Sequence, residues 1–145
     1  ARMPGIICAI RGGPASQATI EKSFTLAREH NQVIHFLYVV NLDFLTHSTS
    51  SKIESISREL RGMGEFILLD AQEKALRQGY QSEKVIADGD VIQEIIRLAK
   101  TIDADYIVLG RPKQGREDNL IGKDKSETIR KRIQSQIRAK VIFSE

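Results

Sequence analysis

The 145-residue sequence predicts an α/β fold: a five-stranded parallel sheet between two layers of helices. Two observations carry this expectation. Short apolar runs alternate with longer stretches of helical periodicity, in the order β-α-β-α-β-α-β-α-β. Such alternation favours parallel strands joined by right-handed crossovers. The runs are also nearly continuous in apolar residues, as strands covered on both faces are.

Pro4-Gly5-Ile6-Ile7-Cys8-Ala9-Ile10 is the first strand, and it ends at the turn signal Arg11-Gly12-Gly13-Pro14. Ser16 is placed to cap a helix in which Ile20, Phe24 and Ala27 share a face, closing near Asn31. Val33 to Val40 is the second strand, rich in β-branched and aromatic residues. After the polar segment Asn41 to Ser51, Ile53, Ile56, Leu60, Met63 and Ile67 recur at helical spacing. Met63 and Phe66 read as core at this stage, and Gly79 is a C-terminal stop. Lys84 to Ala87 is a brief third strand. Asp90 with Gln93 resembles a capping box for the helix of Ile92, Ile95, Ile96 and Ala99. Tyr106 to Leu109 is the fourth strand, closing on Gly110. A polar stretch from Arg111 to about Lys125 follows, then a helix with Ile129, Ile133 and Ile137 on one face, then the fifth strand, Val141-Ile142-Phe143.

Composition narrows the class. Hydrophobic residues make up 41% and charged residues 28%, ordinary values for a soluble globular domain, and the length suits one domain over residues 1–145. No apolar run approaches the roughly 18 residues of a membrane span, so no membrane insertion is expected. The lone Cys8 excludes an internal disulfide and suits a reducing compartment. The expected location is therefore cytoplasmic, as a free protein or as the cytosolic regulatory part of a larger one such as a transporter. Net charge is +3 but unevenly placed: Arg111 to Lys140 holds ten Lys or Arg against four Asp or Glu. That local excess points to an anionic partner, weighed against a merely solvated helix face. In sheets of this kind ligands settle beyond the carboxyl ends of the strands, where strand order reverses. The loops at those ends are 11–15, the segment after Val40, 88–90 and 111–125.

Four segments in order carry a resemblance: Ile10-Arg11-Gly12-Gly13, Tyr38-Val39-Val40, Gly89-Asp90 and Ala104-Asp105-Tyr106-Ile107-Val108-Leu109-Gly110. Together they resemble the universal stress protein family over almost the whole chain. The resemblance implies a three-layer α/β/α fold with strand order 3-2-1-4-5. It also implies a homodimer paired through the final strand, and a regulatory module rather than an enzyme. By the same likeness, a nucleotide would contact Ala9, Ile10, Arg11 and Gly12, Val39, and Leu109, Gly110, Lys113, Lys123, Asp124, Lys125 and Ser126.

The departures bear on that ligand. ATP-binding members carry Gly-x2-Gly-x9-Gly-(Ser/Thr) after the fourth strand, where glycines let backbone N–H groups approach phosphate. Counting from Gly110, those positions hold Lys113, Lys123 and Asp124, with Gly122 and Ser126 nearby. On the first turn the family's aspartate is replaced by Arg11. The expectation is that ATP binds weakly or not at all. Arg11, Arg111, Lys113, Arg116, Lys123 and Lys125 are cations that would serve another anion if they converged on one crevice. The ligand stays open between ATP, AMP, another phosphorylated small molecule and none. In the last case the chain is a dimeric interaction module.

Other chemistries are set aside. Gly110-x4-Gly115-Arg116-Glu117 lacks the lysine and hydroxyl of a Walker A loop and follows the wrong strand. Arg11 to Ser16 is distantly similar to the Ser-Gly-Gly-x-Asp-Ser loop of ATP pyrophosphatases but lacks its first serine and its aspartate. His30, His35 and His47 show no metal spacing. Cys8 reads as a small core residue. Arg130-Lys131-Arg132 reads as a solvated helix face, not a nucleic-acid reader, because no aromatic residues are interleaved with it. No residue set pairs a nucleophile with a base and a charge stabiliser, so no turnover is expected beyond slow, incidental hydrolysis.

Overall fold

The computed structural model describes residues 5–45, 48–111 and 119–144, without the side chains of residues 44 and 119–124. The strands are β1 (Gly5–Ala9), β2 (Val33–Val40), β3 (Ser82–Asp88), β4 (Tyr106–Gly110) and β5 (Lys140–Ser144). The helices are α1 (Pro14–His30), α2 (Ser50–Arg77), α3 (Val91–Ile102) and α4 (Asn119–Gln134). The five strands form one sheet in the order β3-β2-β1-β4-β5, and every pairing is parallel. The expected architecture and strand order are therefore present.

Side chains on successive strand residues point to opposite faces, and the sheet divides the core accordingly. Ile6, Cys8, Ile34, Phe36 and Val108 pack with Ile20, Phe24 and Ala27 of α1 and Leu68, Ala71 and Ala75 of α2. Ile7, Leu37, Ile107, Leu109 and Phe143 pack on the other face with Ile95 and Ala99 of α3 and Ile133 of α4. Both faces are apolar, which is why the strands read as continuous runs.

Local sequence sets most boundaries. Asn31 ends α1 and Asp103 ends α3, both left-handed at φ 51° and 54°. The Asp90 carboxylate accepts from Gln93 N–H at 3.0 Å and starts α3 as expected. Gly79, at φ 84°, follows the α2 stop.

Several expectations need correction. Ser16 does not cap α1: Gly13 is the N-cap, without a side-chain hydrogen bond, and Pro14 opens the helix. Proline's fixed φ and missing N–H suit the first helical position, so the helix starts three residues early. Ser16 instead donates to the Gly12 carbonyl at 3.2 Å and accepts from Arg11 N–H at 3.3 Å, pinning the turn. The helix α4 also starts earlier, at Asn119, so Lys123, Asp124 and Lys125 lie on a helix and not in a loop. Ile137 lies past the end of α4 but still packs on the same core. Met63 and Phe66 are not core; they are 56% and 74% exposed. The buried face of α2 is Gly64, Leu68, Ala71 and Ala75, where small residues let the helix lie close to the sheet.

At the amino end of the sheet, Arg138 bridges Asp103 at 3.1 Å and Asp105 at 2.8 Å, while the Gln32 amide donates to Asp105 at 2.6 Å. This cluster ties the entries of β4 and β5 to the end of α1. His35, half-buried on β2, has its pKa pulled below the ordinary value by burial, partly opposed by Glu83 on the neighbouring strand.

Candidate functional site

The chain leaves β1 on one side to build β2 and β3, then returns on the other side to build β4 and β5. Strand order therefore reverses at the β1–β4 boundary, and the connections leaving those two strands diverge to open a crevice. Cys8 pairs with Phe36 on one side and Val108 on the other, so Ala9 stands beside Leu37 and Leu109, and Val39 lies two residues further along β2 on the same face. Ala9 and Val39 are only partly buried and, like Ala87, Val91 and Ile129, pack against the core that α3 and α4 cover. The result is a shallow apolar floor at the carboxyl edge of the sheet.

One wall is the turn at Arg11-Gly12-Gly13. Both glycines sit at φ 84°, a conformation that side chains with a Cβ rarely adopt. A Cβ on Gly12 would also lie 2.6 Å from Ile67 Cδ1, so α2 packs directly on this turn. Arg11 is exposed at its start. Ile10 turns its side chain into the α1–α2 core, leaving only its backbone near the crevice.

The other wall begins at Gly110. Beneath it the Thr19 and Ser144 hydroxyls share a hydrogen bond of 2.8 Å, and Ser144 donates on to the Leu109 carbonyl at 3.4 Å. A Cβ on Gly110 would stand 3.4 Å from Thr19 Oγ1. This buried polar pair links α1, β4 and β5 directly under the loop.

The structure places the candidate residues in three groups. Ala9, Ile10, Arg11, Gly12, Val39, Leu109 and Gly110 come together around the crevice mouth. Lys125 and Ser126 stand on α4, exposed and half-buried respectively. Lys113 and Arg116 lie outside the described residues, as do the side chains of Lys123 and Asp124. Among the cations grouped from sequence, Arg111 leans toward β5, with its guanidinium 5.9 Å from the Phe143 ring.

Sequence reasoning missed four participants. Arg130 is not simply solvated: it lies 5.3 Å from the same Phe143 ring and donates to the Val141 carbonyl at 3.4 Å. Glu127 pairs with it one turn earlier on α4. Arg61 of α2 and Arg132 of α4 reach the carboxyl end of β3, meeting Asp88 at 2.8 Å and Asp90 at 3.6 Å. The spacing within Arg130-Lys131-Arg132 gave no hint of this, because the partners come from other strands and turns.

Burial pushes the Cys8 thiol up to about 12, so it is no thiolate nucleophile at neutral pH. Among the described residues no group of three or more His, Cys, Asp or Glu could hold a metal ion, and no helix is long and apolar enough to cross a membrane.

Comparison with known proteins gives a consistent picture. The family model described as "Universal stress protein family" matches residues 4–132. Universal stress protein YxiE of Bacillus subtilis is 29% identical over 126 residues, covering 81% of this chain and 85% of its own. The structure of universal stress protein UspA from Lactobacillus plantarum matches with TM-score 0.78 at 17% identity, covering 100% of this chain and 99% of that one. A universal stress protein from Archaeoglobus fulgidus in complex with dAMP matches with TM-score 0.63 at 12% identity, covering 98% of both chains.

Proposed function

The chain belongs to the universal stress protein family, and from that premise we propose that it is a regulatory module binding a small anionic ligand in the β1–β4 crevice. The ligand class is an adenine nucleotide or another phosphorylated small molecule. The observation that carries this reading is the partly uncovered apolar floor of Ala9 and Val39 at the point where strand order reverses. A flat apolar floor takes a base, and exposed cations at its rim take phosphate. The dAMP complex of the Archaeoglobus relative supports the same class of ligand. Arg11 is exposed at this rim and Lys125 is exposed on α4; Lys113 and Lys123 stand where ATP-binding relatives carry glycines.

A thermal-shift panel of AMP, cAMP, ATP and sugar phosphates tests the reading. At 100 times its dissociation constant a ligand stabilises the fold by about 2.7 kcal/mol. ATP is expected to give the smallest shift among the nucleotides, because the glycine loop that cradles its phosphates is replaced. Val39→Trp, which fills the floor, is expected to abolish every shift. Lys113→Ala and Lys123→Ala should each weaken binding more at low salt than at high salt, since screening shortens electrostatic reach. A panel in which nothing binds, or in which Val39→Trp leaves the shifts intact, rejects the site. The chain would then be an interaction module.

The quaternary reading is a homodimer through β5. This strand pairs only with β4 among the described residues; at its outer edge the Val141 N–H donates to the Gln134 side chain at 3.0 Å and the Val141 carbonyl accepts from Arg130 at 3.4 Å, so a second copy would displace these contacts or pair beyond them. An open strand edge is a liability that two-fold pairing removes. The pairing of Lys140 with Glu145 of a second copy falls partly outside the described residues. Sedimentation at micromolar concentration is expected to give twice the monomer mass. A wild-type monomer at that concentration refutes the dimer.

A further inference from the structure

We propose that α4 is a latch on the outer edge of β5. Gln134 and Arg130 hold the main chain of Val141 as a neighbouring strand would, and pairing of β5 with β5 of a second copy strengthens when they let go. The latch acts on the edge where the homodimer reading seats a second copy, and it rests on that reading.

Strand geometry identifies what is held. Along a strand the N–H and C=O of one residue point to the same side, and those of the next residue to the opposite side. The Lys140 N–H donates to the Asp105 carbonyl at 3.0 Å, toward β4. Val141 and Phe143 therefore present their N–H and C=O outward, where β5 has no neighbouring strand among the described residues. Both outward groups of Val141 are taken by side chains of one helix. Its N–H donates to Gln134 Oε1 at 3.0 Å, and its carbonyl accepts from Arg130 Nε at 3.4 Å. One helical turn separates Arg130 from Gln134, so both lie on the same face of α4. That turn supplies the donor and the acceptor that a strand would supply.

Three features make this a latch and not a permanent cover. Gln134 is the last residue of α4 and is exposed, so its side chain can swing away without disturbing the core. The Arg130 contact, at 3.4 Å, is longer than the usual N–H···O bond. Its guanidinium also pairs with Glu127 and lies 5.3 Å from the Phe143 ring, so it keeps two partners on release. Finally, the hold stops at Val141: among the described residues nothing corresponding takes the outward groups of Phe143. An incoming strand has Phe143 as its foothold and gains Val141 on opening.

The occupant is the same edge of a second copy. Two-fold pairing sets the two edges antiparallel, and facing residues then exchange main-chain hydrogen bonds. Each copy carries its own latch, so removing it acts twice on one dimer. Until then, the contact within the chain blocks an edge that would otherwise template indiscriminate pairing.

Sedimentation velocity compares wild type with Gln134→Ala and with Gln134→Ala/Arg130→Met, in which methionine keeps an apolar stem near Phe143 without the donor. The dimer dissociation constant of the double variant is expected to fall at least about tenfold, and that of Gln134→Ala in the same direction. Amide hydrogen exchange locates the contact. In dilute Gln134→Ala the Val141 N–H is expected to exchange faster than in wild type, and to regain protection as concentration rises. A wild type that stays monomeric beside a variant that dimerises refutes the native dimer and upholds the latch, as one held shut. The latch is overturned if both variants associate no more tightly than wild type, or if they associate while Val141 stays unprotected.

Discussion

Replacing Gly64 with leucine is expected to lower stability by about 3 kcal/mol, at the upper end for overpacking a tight core. Gly64 lies where α2 crosses β2. A single added Cβ would stand 2.5 Å from Tyr38 Cδ1 and 3.0 Å from Tyr38 Cγ. The Cγ contact is decisive: it belongs to the root of a buried ring, which moves only if β2 or α2 moves. Alanine is the informative control. It gains about 1 kcal/mol of helix propensity but meets the same ring, so its net effect is expected to be destabilising and smaller than that of leucine. Denaturant midpoints with unchanged m-values check this. A Gly64→Leu protein as stable as wild type would mean that α2 does not seat on Tyr38 as described.

Phe36→Ala is expected to cost about 4 kcal/mol, in the range found when buried aromatic residues are truncated. Phe36 is fully buried in the middle of β2, paired with Cys8 on β1 and Lys84 on β3. It belongs to the cluster that holds α1 and α2 on the sheet. Strands on both sides fix the backbone around it, so little can collapse into the space left by the ring. Chemical denaturation is again the measurement, and a loss below about 1 kcal/mol would contradict this packing. Phe66→Ala, on the exposed face of α2, is expected to leave monomer stability nearly unchanged. The two phenylalanines, both apolar and both in regular structure, thus separate core from surface.

The same pair shows where sequence reading ran out. Periodicity identified α2 as a helix, and did so correctly. It then chose the wrong face for the second half, because Met63 and Phe66 weigh more on any apolar scale than Gly64, Ala71 and Ala75. What buries a residue there is the short distance between helix and sheet, which small residues permit and large ones prevent. The first turn gives a parallel case. Ser16 is a good capping residue by type, but Pro14 and the two glycines at φ 84° start the helix earlier and turn the serine to a different task. The crevice was legible to the extent that strand ends were legible: Ala9, Val39 and Gly110 lie at one edge of the sheet because the alternating pattern and the order of strands put the strand ends there. The positions of Arg111 and Arg130 about Phe143 were not, since nothing near either arginine in sequence names that ring.

The alternation of elements, the two-sided burial of the strands and the stops at Asn31, Gly79 and Gly110 are written in the order of the residues, since they rest on local preferences and on periodicities of two and 3.6 residues. So are the family resemblance, carried by the motifs, and the loss of the glycine loop. Packing set which face of α2 meets the sheet, which arginine reaches which carboxylate, and the meeting of Thr19, Ser144 and Leu109 beside Gly110. Those contacts link residues as far as 125 positions apart, and they exist only once the sheet has brought separate strand ends within a few ångströms of one another.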